Sequence, residues 1–175
     1  MRFNLCLAAL AATVAVASPA FAQTVAKATA EARGLVLQPL TLTKKDDLDF
    51  GTVLASAALG NVTINADTGG RSVTGGVTAV ASNPGKRALF TGAGTAGQQV
   101  TLILTPPAQN LLVSTANPAD TILISSMVLD SNNSTTRTIG IGGTFDIGVG
   151  ATFDIAAGQP NGFYKANFDV TATYP

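Results

Sequence analysis

From Leu35 to the C-terminus the chain is written in period two. Leu40 and Leu42 alternate with Thr41 and Thr43, Val62 and Ile64 flank Thr63, and Phe168, Val170, Ala172 and Tyr174 alternate with Asp169, Thr171 and Thr173. Residues two apart share one face of a strand, so this rhythm buries one face of a sheet and wets the other. No part of the region sustains a helical stripe. The apolar runs are short, and Gly, Pro, Asn and Asp divide them, as at Asp67–Gly70 and Pro106-Pro107. This pattern predicts an all-β protein, a sandwich or a barrel.

Several local expectations follow. Lys44–Asp47 reads as a polar turn, and Leu48–Val53 as the start of the next strand. Gly75-Gly76 reads as an interruption between Val73 and Val77. Phe145–Ile147 and Thr152–Ile155 read as the two arms of a hairpin around Gly148-Val149-Gly150. Phe163–Tyr174 is expected to be the last and longest strand.

Two segments precede the β region. Arg2, the apolar run Leu5–Val16, the break at Ser18-Pro19 and the small-x-small site Ala20-Phe21-Ala22 make residues 1–22 a predicted secretory signal peptide. The apolar run is too short to span a bilayer. The expected mature chain begins at Gln23, contains no Cys, and has no membrane span once the signal is cleaved. Residues 23–34 form a predicted N-terminal arm in which Ala26, Ala28, Ala30 and Ala32 alternate with Lys27, Thr29 and Glu31. Residues 35–175 are the sandwich domain.

Composition narrows the chemistry. Charged residues make up 11% of the chain, and ten Lys and Arg balance ten Asp and Glu. A basic nucleic-acid face needs a clustered surplus of cations, so none is expected. There is no His, which removes the usual general base near pH 7 and the commonest metal ligand. The expected protein is therefore not an enzyme and carries no cofactor or metal.

Individual motifs agree. Gly92-Ala93-Gly94-Thr95-Ala96-Gly97 matches GxGxxG, but the phosphate-binding mechanism needs a helix next, and Gln99–Thr105 reads as a strand. A Gly-rich hairpin loop is expected there. Asp46, Asp47 and Asp49 follow two lysines and read as a solvated turn. Asp130–Thr136 opens like a calcium loop, but Thr135 stands where the glycine belongs and Ile141 where the terminal Glu belongs. Asp146 and Asp154 are each flanked by Phe and Ile, so alternation points both carboxylates to solvent.

The tail carries the strongest signal. Gly162 is fourteenth from the C-terminus and Tyr174 is penultimate, with an alternating apolar strand between them. This arrangement resembles the tail of chaperone–usher pilus subunits. Together with Pro39–Thr43, Leu48–Val53 and Gly75–Val77, it also resembles the domain of unknown function 4402 family, secreted bacterial β-sandwiches similar to spore-coat-U-type and fimbrial subunits. The resemblance implies an all-β, immunoglobulin-like (pilin-like) β-sandwich of about seven to nine strands that lacks one strand, and a structural role in a fimbria-like surface fibre assembled by donor-strand exchange. It implies that a periplasmic chaperone and then a neighbouring subunit fill the groove. Ala26, Ala28, Ala30 and Ala32 would face inward on the donor arm, and Gly162, Phe168, Val170, Ala172 and Tyr174 would form the acceptor strand. The expected route is export to the periplasm, then the cell surface or fimbrium. The alternative is a self-complete secreted or coat-associated sandwich that binds an extracellular ligand such as carbohydrate.

Overall fold

The computed structural model describes residues 25–175. The expected signal peptide, residues 1–22, lies outside the described residues. Residues 25–35 are exposed and without regular secondary structure. Val36–Pro175 forms one compact unit.

That unit is built from β1 (Thr41–Asp46), β2 (Val53–Ile64), β3 (Arg71–Ala79), β4 (Ala88–Ala93), β5 (Gln99–Thr105), β6 (Leu111–Ser114), β7 (Thr121–Leu129), β8 (Thr136–Thr138), β9 (Thr144–Ile155), β10 (Tyr164–Lys165) and β11 (Asp169–Thr173). All pairings are antiparallel. The larger sheet has the order β1-β4-β9-β7-β6-β10, with β2 on β9 and β3 on β2. The smaller sheet has the order β11-β5-β8. The architecture is the expected β-sandwich. The described residues hold more strands than expected, because several are short segments that change sheet.

β9 organises the larger sheet. Its first half pairs with β4, from Thr144 against Ala93 to Val149 against Ala88. Its second half pairs along the same edge with β2, from Ala151 against Ile64 to Ile155 against Gly60. β7 takes the opposite edge, from Leu129 against Val149 to Leu123 against Asp154. The expected hairpin around Gly148-Val149-Gly150 is therefore one continuous strand. Its glycines serve close approach and do not turn the chain. A Cβ on Gly148 would lie 2.4 Å from the Ala66 carbonyl oxygen, and one on Gly150 would lie 2.3 Å from that of Ile64.

Other expectations are corrected in the same way. Lys44, Lys45 and Asp46 belong to β1, with a bulge after Lys44, because pairing with β4 carries the strand past the polar residues. β1 is a sheet edge, and its charged residues fall at the end that borders a cavity. Leu48–Thr52 is irregular except for a single bridge between Asp49 and Lys86. β3 runs straight through Gly75-Gly76, opposite a bulge in β2 between Ala55 and Gly60. Gly92–Gly97 joins β4 of one sheet to β5 of the other, so it is not a hairpin loop. The tail is not one long strand. β10 pairs with β6 in the larger sheet, the chain crosses over Ala166–Phe168, and β11 pairs with β5 in the smaller sheet.

The core has two parts. Val62, Ile64, Leu112, Ile122, Ile124, Phe153 and Ile155 are buried within the first. Val100, Leu102, Leu129, Ile139, Phe145, Ile147 and Val149 are buried within the second. Leu48 and Met127 pack against both.

Candidate functional site

β1 and β11 are edges of different sheets. Each has a partner on one side only among the described residues: β4 for β1 and β5 for β11. They do not pair with each other, yet both send their inward residues toward the same core. Leu40 and Leu42 from the β1 side, and Phe168, Val170, Ala172 and Tyr174 from the β11 side, pack on the second core part while staying only partly buried. A sandwich edge whose inward face is half-covered still has apolar surface to bury and main-chain groups to pair.

One end of this groove is closed. The Tyr174 hydroxyl donates to the Gln38 carbonyl at 3.0 Å and accepts from the Thr95 amide at 2.8 Å. The Gln38 amide donates to Thr95 Oγ1 at 2.7 Å. The phenol thus ties the last strand to the segment leading into β1. Gly94 sits beneath it, and a Cβ there would lie 2.4 Å from the Tyr174 oxygen.

Toward the other end the groove widens into a cavity of about 770 Å³. Leu42 and Phe90 line one flank, Phe168 and Val170 the other, and Phe50, Leu112, Met127 and Phe153 lie deeper. Phe50 and Phe153 stack obliquely with ring centroids 4.9 Å apart, while Phe90 meets Phe168 edge-on at 6.2 Å. Phe163 stands at this mouth with 80% of its surface exposed.

The mouth is rimmed by charges of both signs. Lys86 pairs with Asp46 at 2.6 Å, and Lys44 pairs with Asp47. The hydrogen bond and charge of Asp46 raise the Lys86 ammonium above its ordinary 10.5. Arg71 fastens the loop beside the cavity by donating to the carbonyls of Phe50, Thr52, Asn83 and Val80 at 2.8–3.1 Å. That grip holds Phe50 in the cavity wall.

The residues singled out by sequence fall in distinct places. Phe168, Val170, Ala172 and Tyr174 lie along one flank of the groove. Gly162 lies outside it, exposed, before β10. Ala26, Ala28, Ala30 and Ala32 are exposed in the segment without regular secondary structure. Sequence reasoning did not single out Leu42, Phe50, Phe90, Met127, Phe153 or Phe163. The signal for Leu42 was its place in the alternation of β1. The others come together only through sheet pairing between distant segments.

Acidic residues take part in surface hydrogen bonding. Asp146 accepts from Thr91 Oγ1 at 2.7 Å, and Asp154 accepts from Asn61 Nδ2 at 2.9 Å and Ser125 Oγ at 2.7 Å. Asp130 pairs with Arg137 under a turn in which Ser131, Asn132 and Asn133 are left-handed. No helix among the described residues is long and apolar enough to cross a membrane.

No curated protein and no solved structure matches the chain. A family model described as a domain of unknown function (DUF4402) matches residues 40–174, from just before β1 to the penultimate residue. The match takes in both flanks of the groove, and the chain belongs to the DUF4402 family.

Proposed function

We propose that this chain is a structural subunit of a fimbria-like surface fibre, and that the groove between β1 and β11 receives an extended strand from another molecule. The observation that supports this reading is the pair of unpartnered edges facing across a half-covered core. An added strand would complete the main-chain ladder on both sides, and its alternate side chains would cover Leu42, Phe90, Phe168 and Val170. Hydrogen bonds supply affinity in this mode, and the alternate side chains set register.

The proposed donor is the segment holding Ala26, Ala28, Ala30 and Ala32 in a neighbouring subunit. It is exposed and without regular secondary structure, so no helix or strand has to be undone when it docks. In the same reading the chain is exported, a periplasmic chaperone fills the groove first, and a subunit arm replaces the chaperone strand.

The test is deletion of residues 23–33 from the mature chain. The deleted protein should keep its unfolding midpoint and lose the ability to form polymers, as read by light scattering. Ala30→Asp should do the same, because a charge would enter an apolar groove. Polymers that persist after deletion would exclude the arm as donor.

A further inference from the structure

The groove is tapered, and so is the arm. At the Tyr174 end the groove is narrow, with Gly94 packed under the phenol. At the Phe163 end it opens into the cavity. The arm's inward parity runs Ala26, Ala28, Ala30, Ala32, Gly34, Val36, small throughout until its last member. Val36 is 93% exposed, and no other residue of that face is a large hydrophobe.

Lengths fix how the two tapers superpose. From Phe168 to Tyr174 is six residues, and from Ala26 to Ala32 is also six. At ~3.4 Å per residue each spans about 20 Å. Four alanines therefore match the four inward positions Tyr174, Ala172, Val170 and Phe168. Gly34 and Val36 then project beyond Phe168, by about 7 and about 14 Å at the same rise. That distance carries Val36 over the wide mouth, where Phe163 stands exposed. The opposite polarity would send Val36 past the Tyr174 end, away from the cavity, where the hydroxyl's bonds to Gln38 and Thr95 close the groove.

Resting on the strand-acceptor reading, we propose that Val36 of one subunit and Phe163 of the next form an apolar joint between subunit bodies. The occupant of the mouth is thus a second copy of this chain, entering with its arm antiparallel to β11. The Phe163 backbone is held in place, since its carbonyl accepts from the Thr115 amide at 2.8 Å. Its ring is nevertheless left open to solvent in the single chain. The arm locates the subunit, and the joint closes the mouth and sets the angle between bodies.

The experiment uses a full mature chain as acceptor, with Ala28→Asp and Ala30→Asp disabling its own arm. Two synthetic peptides of this sequence, residues 23–33 and residues 23–37, are titrated against it. The longer should bind about tenfold more tightly, the scale expected for burying one valine against an aromatic ring. Val36→Ser in the long peptide, or Phe163→Ser in the acceptor, should each remove that advantage, and the two together should do no more than one. Binding of the short peptide should be unchanged by Phe163→Ser, which also shows that the variant is folded. Equal affinity of the two peptides, or an advantage that survives Phe163→Ser, overturns the joint while the groove stands. Failure of both peptides to bind overturns the groove and the joint with it.

Discussion

At the residue scale, the tail's tyrosine acts as a fastener as well as an apolar residue. Its hydroxyl donates to Gln38 and accepts from Thr95, holding the closed end of the groove. Tyr174→Phe keeps the ring and removes both bonds, leaving a partly buried amide without its acceptor. A loss of about 1–3 kcal/mol is expected in chemical denaturation. A change below a few tenths would mean that water replaces the hydroxyl at no cost. Gly150 tests a different constraint. Its lack of a side chain lets the strand lie against the Ile64 carbonyl, so Gly150→Ala should cost at least about 1–3 kcal/mol through forced displacement of backbone. An unchanged midpoint would show that β9 is free to shift.

At the element scale, the alternation of β1, β5, β7 and β11 was readable because each buries one face. The same rule failed at β9. Glycine in a sequence signals a turn more often than a close approach, and only the positions of Ile64 and Ala66 show which applies here. The tail misled for another reason. Its period continues without interruption, yet the residues that pair with Tyr164 and with Val170 lie in different sheets. Period reports which face a side chain takes and not which strand lies beside it. One flank of the groove was therefore legible from the tail, while Phe50 and Met127 were not. Arg71 shows how such a distant residue is held. Arg71→Ala removes four bonds to carbonyls, and we expect a loss of about 2–4 kcal/mol. Arg71→Lys should recover only part of it, because an ammonium cannot reproduce the planar fork. Since Phe50 is one of the four anchors, the Ala variant should also weaken strand binding more than its lost stability alone accounts for.

At the scale of the whole molecule, the central claim is that the sandwich is incomplete on one side. β3 offers a useful contrast. It too is an edge, paired only with β2 among the described residues, but its exposed positions are largely polar and none of its residues lines the cavity of the groove. Hydrogen exchange on the arm-disabled full chain, with and without the peptide of residues 23–37, separates the two edges directly. Bound peptide should slow exchange at amides of both Thr41–Asp46 and Asp169–Thr173 and leave Arg71–Ala79 unchanged. Exchange that is unaltered at β1 and β11, or slowed along β3 instead, would contradict the account.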